Sequence, residues 1–284
     1  MISRLHTCVV ACYHGGMPTF VVAAQKGGSG KTTIALHLAV TASATQSTIV
    51  VDTDPQRSAT GWARIRGGKP PEVFEATASS VPAVIAAAHG DGVAVVVIDT
   101  PPHSTAEASR VLGVADLIVV PVRPTVLDLM ALEATQRIVQ AAARPAVAVL
   151  SAVPARGPEA DEAEHVLREM GFNVAPIRIK ERRPYSRALA TGHAVTEFHD
   201  RRMHATKSKD YGHGCTIAWF HATMIEWWLG FRTAKRRRPA LTRDHSNRCS
   251  ISTYFRARRE PVAVRGSRRL SPFFRFKNEL RHKL

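Results

Sequence analysis

The stretch that most constrains this chain is Lys26-Gly27-Gly28-Ser29-Gly30-Lys31-Thr32-Thr33. It follows the apolar run Phe20-Val21-Val22-Ala23-Ala24 and opens Ile34-Ala35-Leu36-His37-Leu38-Ala39. A β-branched run, a glycine-rich turn and helix-spaced apolar residues make a strand, loop and helix in succession. Gly27, Gly28 and Gly30 carry no Cβ, so the backbone can bend tightly and turn successive N–H groups toward one point at the positive end of the helix. Such a cradle suits the β- and γ-phosphates of a nucleotide. Lys31 supplies a point charge to the same phosphates, and the Thr32 hydroxyl is placed to ligate Mg2+. The expected phosphate-binding set is Gly27, Gly28, Ser29, Gly30, Lys31, Thr32 and Thr33. The general pattern G-x-x-x-x-G-K-[ST] asks for glycine where this chain has Gln25, and it makes no provision for a lysine at 26.

Beyond the loop, strands and helices alternate regularly. A helix over 31–46 leads to a strand at 48–51, and further apolar runs lie at 93–98, 117–120 and 146–150. A helix near 159–170 and a short strand near 174–179 follow. Continuous apolar runs mean strands buried on both faces, hence an α/β fold with a mostly parallel sheet and helices on each side. Ligands of such sheets collect at the carboxyl ends of the strands. Asp52-Thr53-Asp54-Pro55-Gln56 falls at one such end, where two carboxylates beside a nucleotide can orient a water or a metal-bound water. Asp99-Thr100-Pro101-Pro102 falls at another, after a six-residue apolar run. A carboxylate leaving a buried strand beside the phosphate loop is placed to hold Mg2+ through water. A capped turn is the plain alternative for the first pair.

K-G-G-x-G-K-T-T resembles the deviant Walker A box of the ParA/MinD ATPases, a branch of the P-loop NTPases. The resemblance covers about 17–198, ending at Gly192-His193-Ala194-Val195-Thr196-Glu197-Phe198. It implies that Lys26 reaches across a dimer interface to the partner's nucleotide, making Lys26, Lys31 and Asp54 the catalytic set. By the same resemblance Asp54 positions the attacking water, Asp52 supports the metal shell with Thr32 and Asp99, and Asp99 is the Walker B equivalent. Ser58, Ala59, Thr60 and Trp62 continue the match to short ParA proteins. Ala115-Asp116 through Pro121-Val122-Arg123-Pro124 and Leu127-Asp128-Leu129 resembles the segment that packs on the partner subunit, although Asp128 reads equally well as a helix cap.

What the resemblance implies is an ATP- and Mg2+-dependent partition ATPase. Mg-ATP joins two subunits, the homodimer binds DNA without sequence preference, and a ParB-like adaptor stimulates slow hydrolysis and release. It also implies a bacterial, cytoplasmic, nucleoid-associated protein with no expected membrane partner. Arg182, Arg183 and Arg187 are the candidate DNA contacts within the domain, acting through counterion release; a solvated helix face explains the same residues. Two rivals share the scaffold. A MinD-like membrane-cycling ATPase would need a C-terminal amphipathic helix, and none is visible in the tail. An amidotransferase would need a nucleophilic cysteine, and 17–200 contain none.

Charge divides the chain. Residues 1–200 hold 18 Lys and Arg against 18 Asp and Glu, whereas 201–284 hold 21 against 5, so the net +16 belongs to the tail. The four cysteines, Cys8, Cys12, Cys215 and Cys249, offer no spacing for a disulfide framework or a zinc site. Residues 1–16 are too interrupted for a signal peptide. Met17-Pro18-Thr19 directly precedes the first strand, so 1–16 are expected to be a non-native extension. Three readings compete for 199–284, where the resemblance stops: a shifted reading frame, which would make a non-functional product or a domain lacking its closing helix; a basic extension contacting nucleic acid through Arg232, Lys235, Arg236, Arg237 and Arg238; or a membrane anchor at 216–231. The frame shift is the favoured one.

Overall fold

In the computed structural model, residues 17–102 and 105–197 are described, with no account of the side chains of 105 and 106. The expectations for 1–16, for 199–284 and for all four cysteines lie outside these residues. Seven strands, β1 (Thr19–Val22), β2 (Thr48–Asp52), β3 (Glu72–Glu75), β4 (Val95–Asp99), β5 (Leu117–Val122), β6 (Ala146–Val153) and β7 (Asn173–Lys180), build one sheet. Its order is β3-β2-β4-β1-β5-β6-β7, and every neighbouring pair is parallel. Between and after them run α1 (Lys31–Ser43), α2 (Ser58–Arg66), α3 (Val81–Gly90), α4 (Thr105–Gly113), α5 (Val126–Met130), α6 (Leu132–Ala142), α7 (Glu159–Glu169) and α8 (Arg183–Ala190).

The continuous apolar runs become central strands because both of their faces are covered. Phe20, Val22, Val50, Val97, Val119 and Val149 form a core with α1 on one face, while the alternate residues Val21, Ile98, Ile118 and Leu150 are equally sealed on the other. Helix α1 is buried on almost every side, from Ile34 through Ala42. It stops at Ser43, three residues short of the expected end, because Thr45 and Gln46 both donate to the Ala42 carbonyl and close a turn. The sequence reading missed β3 altogether. Glu72-Val73-Phe74-Glu75 has neither an apolar run nor clean alternation, and it is a strand because its backbone pairs with Ile49 to Asp52 of β2 at the sheet edge.

Two buried polar groups join the layers. Arg66, at the end of α2, lies 4.9 Å over the Trp62 ring and donates to the Gly192 carbonyl and to both oxygens of Glu197 at 2.8 Å. Its Nε also donates to the Pro70 carbonyl at 2.7 Å. Burial works to raise the Glu197 carboxyl, but Arg66 and the Ala194 N–H outweigh it and hold it below the usual range. Gly192 has φ 71 because the chain passes directly over α2 there.

His37 is the second such group. Its Nδ1–H donates to the Thr33 carbonyl at 2.8 Å, its Nε2 has no partner, and its ring meets Tyr185 of α8 edge-on at 5.3 Å. Burial drives its pKa down to about 4, against the Thr33 contact and the field of Glu197. The unfolded chain therefore binds a proton that the folded chain refuses. Stability from this neutral histidine is complete above about pH 6.5 and is lost as the pH falls toward 4, by about 3 kcal/mol. Melting curves between pH 7 and 4 are expected to show this loss, and His37→Leu should flatten it; an equally steep profile in the variant would contradict the assignment.

Candidate functional site

The sheet register assembles the motifs. Asp99 pairs with Val22 of β1 on one side and with Asp52 of β2 on the other, so the loop after β1 and both acidic motifs meet at one carboxyl edge. Strand β1 has β4 and β5 as neighbours, which places the loop where the strand order reverses, the expected crevice of a doubly wound sheet. Thr53 donates through N–H and hydroxyl to the Asp99 carbonyl at 3.0 and 2.7 Å, and Thr100 donates to the Val22 carbonyl at 2.9 Å, pinning the three strand ends together.

The loop has the backbone that its glycines allow. Gly28 and Gly30 have φ 70 and 95, a region that costs other residues strain. Gly30 stands at the N-cap of α1 with no side chain capping the first turn, so these N–H groups remain available to an anion. Lys31 is 7 % exposed, and its Nζ folds back to donate to the Lys26 carbonyl at 3.1 Å. Burial lowers its pKa, while Asp99 and Asp54 oppose the shift. Ser29 is buried with its hydroxyl unpartnered, and Thr32 and Thr33 are half-buried at the start of α1.

The three carboxylates differ in what they already hold. Asp52 is the most engaged: its Oδ1 accepts from the Asp54 N–H at 3.1 Å, and its Oδ2 accepts from the Thr60 N–H and hydroxyl at 2.9 and 3.0 Å. It fixes both the turn carrying Asp54 and the first turn of α2. Asp54 is half-buried and caps only the Gln56 N–H, at 2.9 Å through Oδ1. Asp99 is fully buried, and neither oxygen makes a hydrogen bond of ordinary geometry. Burial pushes its pKa up to about 7, with Thr32 and Lys31 working against the rise and Asp52 and Asp54 adding to it. A buried carboxylate without a partner beside a threonine hydroxyl and a cationic loop is a donor set for a hydrated divalent cation. Among the described residues no group of three or more His, Cys, Asp or Glu forms a cage, so a cation here would need the nucleotide's own oxygens. The residues fit Mg2+ bound with a nucleotide.

Lys26 has a partner that the sequence left open. Its Nζ lies 2.7 Å from Asp128 Oδ2, with the Lys26 side chain 36 % exposed and that of Asp128 8 %. Asp128 also bonds the Thr125 hydroxyl, and Thr125 in turn accepts from the Asp128 N–H as the cap of α5. The helix-cap reading of Asp128 is thus borne out, and the pairing with Lys26 is a contact that the sequence did not suggest. Helix α5 exposes Val126, Leu127 and Met130, with Leu127 70 % exposed. The Gln25 N–H is tied to the Thr135 hydroxyl at 3.1 Å, so α6 also holds the loop.

Arg182, Arg183 and Arg187 lie on another element, α8 and its N-cap, seated on α1 through Tyr185 and His37. Arg183 and Arg187 are exposed one turn apart, whereas Arg182 is half-buried with its Nε unpaired. Sequence reasoning missed Thr60 as the anchor of Asp52, Thr135, and Ser151, whose hydroxyl donates to the Ser29 carbonyl at 3.1 Å. Each partner lies on a different element, which no local spacing could reveal.

Fold and loop together define a P-loop nucleotide-binding domain. Residues 20–195 match the CbiA family, the CobQ/CobB/MinD/ParA nucleotide binding domain. The chain belongs to that family and, with the lysine at 26, to its ParA/MinD ATPases. It is 32 % identical over 190 residues to Maintenance of carboxysome distribution protein A of Gloeobacter kilaueensis, across 66 % of this chain and 87 % of that protein. It is 38 % identical over 117 residues to Protein ParA of Rhizobium radiobacter, across 39 % of this chain and 51 % of that protein. Its fold matches the septum site-determining protein MinD of Pyrococcus horikoshii, solved with Mg-ADP, with a TM-score of 0.56, 15 % identity, and coverage of 76 % of this chain and 99 % of MinD. No helix among the described residues is long and apolar enough to cross a membrane.

Proposed function

We propose that the chain is a partition or positioning ATPase that hydrolyses ATP, assembles as a homodimer on Mg-ATP and binds DNA without sequence preference in that state. The observation that carries the reading is Lys26, a half-exposed cation at the mouth of the phosphate loop. It is held in its own subunit by Asp128, beside an apolar helix that exposes Val126, Leu127 and Met130. An exposed apolar rim next to a half-exposed charge suits a second copy of the chain more than it suits solvent. The names of the relatives, ParA and Maintenance of carboxysome distribution protein A, support a role in placing a cargo.

In this account the N–H groups of Gly28 to Thr33 and the Lys31 ammonium hold the phosphates. Thr32 and Asp99 would hold Mg2+, with Asp52 behind them fixing the turn. Mg2+ supplies charge neutralisation at the phosphates. Asp54, half-buried and holding only the Gln56 N–H through its side chain, accepts a hydrogen bond from the attacking water and orients it. Lys26 leaves Asp128 for the partner's nucleotide, so the loop becomes complete only in the dimer. The exposed Arg183 and Arg187 contact DNA phosphates. An adaptor of ParB type stimulates turnover and resets the switch.

Lys26→Ala tests the reading. The variant should bind a fluorescent ATP analogue with wild-type affinity yet lose the ATP-dependent part of its binding to a random-sequence duplex, read by anisotropy. The ATP-dependent part is the relevant one, because 201–284 carry 21 Lys and Arg that attract DNA whatever the nucleotide. DNA binding that still rises with ATP in the variant would refute the trans role.

A further inference from the structure

At its C-terminal end β6 leaves regular sheet geometry. Its pairing with β7 shifts register between Ala148 and Leu150 and again between Leu150 and Val153. Within that irregularity Ala152 has φ 48, a left-handed conformation that a residue with a Cβ adopts only where its surroundings demand it. Bulges of this kind re-aim a neighbouring side chain. The neighbour is Ser151, 5 % exposed, whose hydroxyl donates to the Ser29 carbonyl at 3.1 Å across 122 positions of sequence. A Cβ built on Gly30 would lie 4.0 Å from that same hydroxyl, so β6 stands directly against the phosphate loop.

The peptide joining Ser29 to Gly30 is planar and trans, so its C=O and N–H point in opposite directions. Anchoring the Ser29 oxygen to β6 therefore aims the Gly30 N–H away from β6. That N–H has no acceptor among the described residues and sits at the uncapped start of α1. We infer that Ser151 is a positioning residue for the phosphate loop: by holding the Ser29 carbonyl it presets the Gly30 N–H toward a bound phosphate. The bulge at Ala152 is what brings the Ser151 hydroxyl there. The inference rests on the proposal that this loop binds ATP.

Ser151→Ala in the full chain tests it, with a fluorescent ATP analogue as probe and tripolyphosphate as competitor. Loss of one preset hydrogen bond should weaken both ligands by a common factor of about 3 to 10. The nucleotide-free variant should still unfold in one transition, lower by roughly 2 to 6 °C, because the buried Ser29 carbonyl loses its donor. Equal affinities in wild type and variant would overturn the role of Ser151. So would weakening confined to ATP, which would place Ser151 at the base or sugar, or a fall in melting temperature of roughly 10 °C or more, which would make Ser151 a residue of the fold and not of the loop's aim. A wild-type chain that binds neither ligand would instead defeat the underlying reading, and the inference with it.

Discussion

Lys31→Ala is expected to abolish ATP binding, with affinity at least about 100-fold below wild type, a loss equivalent to two charge-assisted hydrogen bonds to phosphate. The cause is specific to this site. Lys31 is almost fully buried at the start of α1, and its ammonium reaches only the Lys26 carbonyl while Asp99 and Asp54 supply an opposing field. A cation so desolvated is poised for a stronger acceptor than a carbonyl, and alanine leaves the loop with backbone N–H groups alone. The free protein should still fold, since the loss of the buried methylene stem is partly offset by removing a desolvated charge. Titration with a fluorescent ATP analogue checks the first statement and a melting curve the second. Wild-type affinity in the variant would refute the loop assignment.

Gly192→Ala should be the most damaging single-methyl change in the domain. A Cβ there would stand 2.7 Å from Arg66 Cα and N and 2.8 Å from the Ile65 carbonyl carbon, all backbone atoms that cannot swing aside. The position also has φ 71, which adds left-handed strain. Relief requires lifting the 192–197 segment from α2, which breaks the Arg66 contacts to Gly192 and Glu197 and leaves a guanidinium buried without its carboxylate. The expected cost is about 3 to 5 kcal/mol, a fall in melting temperature of roughly 10 °C for a domain of this size. A melting temperature within about 2 °C of wild type would show that this contact does not carry the stability ascribed to it.

The parts of the molecule that local chemistry dictates were legible in the sequence. The buried sheet of β1, β2, β4, β5 and β6 follows from apolar runs that only a sheet covered on both faces can bury, and the loop follows from glycines that a phosphate cradle requires. Asp52, Asp54 and Asp99 could be placed at strand ends because strands end where polar residues begin. Their separate tasks could not. Asp52 looks as available as Asp54 in the string Asp-Thr-Asp-Pro-Gln, and only the fold brings Thr60 round to occupy its second oxygen. The pairing of Lys26 with Asp128 spans 102 positions and that of Arg66 with Glu197 spans 131. Such contacts are products of the strand order, and no spacing rule encodes them. Strand β3 was hidden for the converse reason, because its strand character comes from β2 and not from its own side chains.

In the proposed cycle nucleotide decides assembly, with Lys26 exchanging its own Asp128 for a partner's phosphates. Light scattering of the full wild-type chain in Mg-ATP and in Mg-ADP measures this most directly. Twice the 31.0 kDa subunit mass is expected with ATP and a single subunit mass with ADP. The same mass in both nucleotides would contradict it.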